Sequence, residues 1–130
     1  LCGDTLFAGG CGRLFEGTPA EMWTSLRRLS SLPPHTRVCC GHEYTVANLR
    51  FALLVEPSNH TIEERLERAL ALRERNEPTV PSTLADELAT NPFLRADRPP
   101  VVEAASRRAG HAVPPGEPTF AVIRRWKDRV

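Results

Sequence analysis

The stretch Leu1–Thr18, LCGDTLFAGGCGRLFEGT, decides how this chain is to be read. Its first seven residues are mostly apolar and strand-like, yet Asp4 stands among them, and Gly9, Gly10 and Gly12 then break any regular element. A carboxylate at the end of a buried strand is costly to keep ionised unless a cation or several hydrogen-bond donors face it. Asp4 is therefore the first candidate functional residue, and what faces it is the question the rest of the sequence must answer.

Downstream, TPAE at Thr18–Glu21 combines an N-cap Thr, a Pro at the first helical position and a Glu three residues after the cap. That capping box predicts a helix over about 19–32, with Met22, Leu26 and Leu29 on its apolar face and Arg27 and Arg28 turned away. LPPHT stops the helix, and TRVCC reads as a second strand ended by Gly41. Residues 1–42 thus read as strand, loop, helix, strand, the grammar of a layered α/β domain whose functional residues collect past the strand ends. From Thr45 the period becomes helical. One helix is expected over 46–55, a second from a capping box at Thr61–Glu64 with an Ile62, Leu66, Ala69, Leu70 stripe, and shorter ones over 84–89, 99–109 and 119–129. The expected architecture is the end of an α/β domain over residues 1–44 followed by an all-α domain over 45–130, mostly helical overall.

The 130 residues suffice for one modest domain or a piece of a larger one. With 41% hydrophobic and 25% charged residues and a formal charge of +1, the composition is that of a globular protein with no strong field for nucleic acid or membrane. The longest apolar runs, such as FALLV at Phe51–Val55, fall far short of the ~20 residues of a membrane span. Cys2, Cys11, Cys39 and Cys40 include no C-x-x-C and fit neither a disulfide framework nor a zinc finger, so they read as reduced, buried thiols. A chain that begins at Leu1 in mid-strand is expected to be part of a longer protein.

His42 directly follows the second strand, so Asp4 and His42 sit at the ends of neighbouring elements, where an oxygen and a nitrogen donor could converge on zinc or iron. A lone His after a strand is more often a hydrogen-bonded structural residue, and spacing alone leaves both readings open. His35, His60 and His111 lie in turns or at a helix start and are expected to be exposed. Arg124 and Lys127, three apart, share one helix face. They read either as a clamp for a carboxylate or as a solvated basic helix end favoured by the macrodipole. Cys11 invites a nucleophile reading, but no His is near it in sequence, and packing is the simpler role.

Four blocks, GDTLFAGGCGRLFEGT, LPPHTRVCCGHEYTVANLRFALLVEP, EPTVPSTLADELATNPFLR and RRWKD, resemble in order and spacing the C-terminal half of glyoxalase II, the hydroxyacylglutathione hydrolases of the metallo-β-lactamase superfamily. The resemblance implies a thioester hydrolase of methylglyoxal detoxification that converts S-D-lactoylglutathione to D-lactate and glutathione with two divalent metals, zinc or iron, and a metal-activated water. It implies the tail of a metallo-β-lactamase-like αββα domain over 1–44 and a helical glutathione-binding domain over 45–130. It makes Asp4 a bridging metal ligand and His42 a ligand to one metal, both counted as catalytic, and thereby supplies Asp4 with its countercharge. It assigns substrate binding to Arg13, Phe15, Tyr44, Arg124 and Lys127, with Phe15 standing where many members carry a Tyr. It further implies a monomeric, cytoplasmic or mitochondrial protein without nucleic-acid or membrane partners.

The family's T-H-x-H-x-D-H metal motif does not occur in the 130 residues, so most ligands would come from an upstream half and the chain by itself is expected to be inactive. The alternatives are a non-catalytic paralogue serving as a binding module, and a single-iron oxygenase of glutathione persulfide. The helical annex with RRWKD argues against the latter.

Overall fold

The computed structural model describes residues 1–13 and 17–130. The Thr5 amide donates to the Cys2 carbonyl at 3.0 Å, closing a turn through Gly3, at φ +51°, and Asp4. The strand expected over residues 1–7 therefore shrinks to β1 (Leu6–Phe7), which pairs antiparallel with β2 (Gly10–Cys11) across a turn containing Gly9 at φ +78°. Asp4 is not at the end of a buried strand. It is exposed at a turn, because a left-handed Gly3 cannot continue an extended run. Between the two segments expected as strands, one parallel bridge joins Gly3 to Cys40.

Helix α1 (Pro19–Ser30) begins as the capping box predicts, with the Glu21 amide donating to Thr18 Oγ1 at 3.3 Å. Leu26 is wholly buried, and Met22 and Leu29 pack beside it. The helix ends before Leu32 because the Ser30 and Ser31 hydroxyls fold back onto the Arg27 and Arg28 carbonyls at 2.9 and 2.7 Å. The second expected strand is reduced to β3 (Arg37–Val38), paired antiparallel with β4 (Ser82–Thr83). Pro81 has no amide to donate and the next helix starts at Leu84, so only two residues of β4 are available.

The remaining helices are α2 (Thr45–Val55), α3 (His60–Glu74), α4 (Leu84–Thr90), α5 (Pro99–Ala109) and α6 (Glu117–Lys127). The cap of α3 is Asn59, not Thr61. Its Oδ1 accepts from the Thr61 and Ile62 amides at 3.1 and 3.4 Å, so an amide side chain two residues earlier takes the orphan donors and draws Thr61 into the first turn. Along the stripe, Ile62 and Ala69 are buried and Leu70 is exposed.

Phe51, Phe93 and Phe120 form the centre of the core, with ring centroids 6.2 Å (Phe51–Phe93) and 5.8 Å (Phe93–Phe120) apart, and Trp126 meets Phe51 edge-on at 5.5 Å. Each such buried ring contributes about 1.5–3 kcal/mol. Leu6 and Cys11 of the hairpin and Leu26 of α1 belong to the same cluster, so one core fixes the glycine hairpin against the helices. Among the described residues no helix is long and apolar enough to cross a membrane.

Candidate functional site

A cleft of about 480 Å³ opens between the glycine hairpin, the start of α2 and the end of α6. Asp4, Arg13, Tyr44, Arg124 and Lys127 line it, together with Asn48. His42 does not line it. Its ring stacks on Tyr44 at 4.0 Å and 26°, and Tyr44 in turn meets Phe7 edge-on at 5.0 Å, so both aromatic residues stand at the rim. Phe15 lies outside the described residues.

The hairpin carrying Arg13 is held from behind by polar side chains that sequence reasoning missed. Glu87, fully buried, accepts from the Gly9 amide at 2.8 Å and Asn91 at 3.1 Å on one oxygen, and from Arg65 at 2.6 Å and Ser82 at 2.7 Å on the other. Asn91 also donates to the Phe7 and Gly10 carbonyls at 3.3 and 3.0 Å. Asn48 donates to the Ala8 carbonyl at 3.2 Å and lies so close to Gly10 that a Cβ there would approach its side chain to 2.7 Å. The signal was available in the spacing: Glu87 falls three residues after Leu84 on the apolar face of α4, and Arg65 three after Ile62 on that of α3. A buried acid and a buried base on facing apolar stripes are a pair by necessity.

Arg124 is only 2% exposed, which overturns the solvated-helix-end alternative for it. Its Nη1 donates to the Cys11 and Gly12 carbonyls at 2.8 and 3.2 Å, and its Nη2 to Asp128 at 2.9 Å. The guanidinium thus forms the floor of the cleft and ties α6 to the residues just before Arg13. Arg13 is exposed and stands 3.8 Å from the same Asp128. Lys127 is half-buried, with its ammonium 5.8 Å from the centre of the Phe51 ring. Burial, followed by the charges of Arg124 and Arg13, lowers its pKa below the ordinary 10.5. Three cations against two carboxylates, Asp128 and Asp4, leave an excess of positive charge at the mouth, which suits an anionic ligand.

The Asp4 carboxylate lies against Gly41, where a Cβ would come within 2.9 Å of its oxygen, so the turn brings Asp4 next to the residue preceding His42. The donors are of the right kind for zinc or iron but too few. Among the described residues no three His, Cys, Asp or Glu side chains converge to hold an ion, and two donors fall short of the three or four that a protein zinc site uses.

The family model for the hydroxyacylglutathione hydrolase C-terminus matches residues 43–130. The chain belongs to the hydroxyacylglutathione hydrolase family. A hydroxyacylglutathione hydrolase of Alkalilimnicola ehrlichii is 61% identical over 127 residues, covering 98% of this chain and 50% of its own length. One from Pseudomonas paraeruginosa is 58% identical over 129 residues, 99% of this chain and 50% of its own. One from Xanthomonas campestris is 52% identical over 126 residues, 97% of this chain and 49% of its own. The chain therefore spans about half the length of the curated relatives it matches. The family region includes Tyr44, Arg124 and Lys127, while Asp4, Arg13 and His42 precede it and are covered by the longer alignments.

Cys11 is a packing residue, buried in the core cluster with Leu6 and Leu26. Burial pushes its thiol up to about 11, against the opposing charge of Arg124 3.5 Å from the sulfur. A nucleophile needs the opposite shift. Because the folded value lies above the ordinary 9.0, this group's contribution to stability is intact below pH 9 and is lost as pH rises from there towards 11. Iodoacetamide at pH 8 should leave Cys11 unmodified in the folded protein and label it on denaturation, as read by peptide mass mapping; labelling in the native state would restore the reactive-thiol reading.

Proposed function

We propose that this chain is the glutathione-binding part of a hydrolase of S-(2-hydroxyacyl)glutathione thioesters, S-D-lactoylglutathione foremost, releasing D-lactate and glutathione. The observation that carries the reading is the cationic cleft in which Arg13 and Lys127 face the same opening as Asp4. Residues 1–44 would then complete a metallo-β-lactamase-like domain and residues 45–130 form the helical glutathione-binding domain.

Glutathione carries carboxylates remote from its thioester, and Arg13 and Lys127 would hold one of them by charge-assisted hydrogen bonds. Tyr44 offers a hydroxyl at the rim. Arg124, with its Nη groups engaged by backbone and Asp128, positions the loop before Arg13 rather than gripping substrate itself. Asp4 and His42 would be this chain's donors to a pair of divalent metals whose other ligands lie outside it. When bound, such metals supply Lewis acidity at the thioester carbonyl. A thiolate leaves readily, so none of these side chains is required as a strong acid.

The test is metal analysis together with thioester hydrolysis in the intact protein. Asp4→Asn should lower bound metal, and turnover by roughly ten- to a hundredfold, because a neutral amide is a poorer metal donor than a carboxylate. Metal content and turnover both equal to those of the parent would make Asp4 a turn residue without a metal role. The 130-residue chain alone, short of donors, should show no metal-dependent hydrolysis.

A further inference from the structure

On the side of α6 away from the cleft just described, a smaller cavity of about 160 Å³ lies between the ends of α5 and α6. Arg108, Arg125 and Arg129 surround it, and Ala109, Val122 and Trp126 form its apolar wall. The Arg108 guanidinium stacks over the Trp126 ring at 5.4 Å, which fixes one of the three cations on a rigid aromatic plate. The nearby acids are engaged elsewhere: Glu103 pairs with Arg107 at 2.8 Å, and Asp128 with Arg124 and Arg13 at 2.9 and 3.8 Å. Among the described residues none of the three arginines around this cavity has an ion-pair partner.

The helix macrodipole accounts for one basic residue near each helix end, but not for three on two helices gathered round one shared hollow, where they repel each other. A bound anion removes that repulsion. We propose that this cavity binds the phosphate group of a small phosphomonoester, with Arg108, Arg125 and Arg129 as its ligands. A dianion with three acceptor oxygens matches three guanidinium forks, whereas a single carboxylate would satisfy one. The apolar wall of Val122, Ala109 and indole fits a compact hydrophobic substituent on the ester.

Titration of the intact protein with phenyl phosphate and with inorganic phosphate tests this, read by calorimetry and by the Trp126 indole N–H resonance, assigned through Trp126→Phe. A third arm uses phosphatidylcholine vesicles containing phosphatidic acid, because the same headgroup chemistry occurs on a membrane. Both soluble phosphates should shift the resonance saturably. The double variant Arg125→Gln/Arg129→Gln should weaken phenyl phosphate by about tenfold or more. All three arginines are exposed, so the variants should keep their fold, and Arg108→Gln provides a second, independent loss. Lys127→Ala, in the other cleft, should leave phosphate affinity unchanged. No saturable shift up to about 10 mM, undiminished affinity in the arginine variants, equal loss in Lys127→Ala, or binding to vesicles alone would each overturn the proposal.

Discussion

Glu87→Ala is expected to destabilise the protein by about 3–5 kcal/mol, the range for removing one partner of a buried ion pair. The loss leaves the Arg65 guanidinium, with 8% of its side chain exposed, without its carboxylate, orphans the Gly9 amide and the Ser82 hydroxyl, and removes one of the three acceptors of Asn91. A drop in melting temperature on the order of 10–20 °C follows for a domain of this size. The double variant Arg65→Met/Glu87→Leu should recover much of the stability by replacing the charges with apolar bulk. It should nevertheless leave the glycine hairpin loose, since the Gly9 amide still lacks its acceptor. A Glu87→Ala protein melting within a degree or two of the parent would show that the network is incidental.

The helices were legible in the sequence because their signals are local. Thr18 and Glu21 started α1 where expected, and the Pro99 and Gly110 punctuation bounded α5 exactly as its residues read. The strands were less legible, since a strand is defined by its partner. The pairing of β3 with β4 joins Val38 to Ser82 across the chain, and nothing local announces it. The cap of α3 was misplaced because both Asn59 and Thr61 are competent caps, and only the final geometry of the amides separates them. The cleft was partly legible: the candidates Asp4, Arg13, Tyr44, Arg124 and Lys127 do meet in one place. Burial was not: it reversed the expectation for Asp4 and decided between the two left open for Arg124. Asp4 emerged on an exposed turn and Arg124 went under the hairpin, because Gly3 turns the chain and the Cys11 and Gly12 carbonyls demand donors.

Arg124 and Lys127 should accordingly separate, although they share a helix face. Arg124→Ala removes three bonds from a charged group and leaves a void beneath the loop, a loss of about 2–4 kcal/mol in stability. Any effect on substrate binding should come with that loss of order. Lys127→Ala removes no described ion pair, so its melting temperature should stay close to that of the parent. Its effect should fall on KM, since a contact to a carboxylate remote from the reacting carbonyl is equally strong in ground and transition states. The lowered pKa of Lys127 adds a pH signature: KM for the parent should climb as pH rises through that value, below the ordinary 10.5, and the variant should lack the climb.

The most direct test of the glutathione-binding reading is the steady-state kinetics of the intact protein and its Lys127→Ala variant on two lactoyl thioesters. One is S-D-lactoylglutathione, and the other is the thioester of N-acetylcysteamine, which carries no carboxylate. For the glutathione substrate KM should rise roughly tenfold with kcat nearly unchanged, the loss of one charge-assisted bond, while the N-acetylcysteamine substrate should not distinguish the two proteins. An unchanged KM for S-D-lactoylglutathione, or an equal rise for both thioesters, would contradict the assignment of this cleft to glutathione.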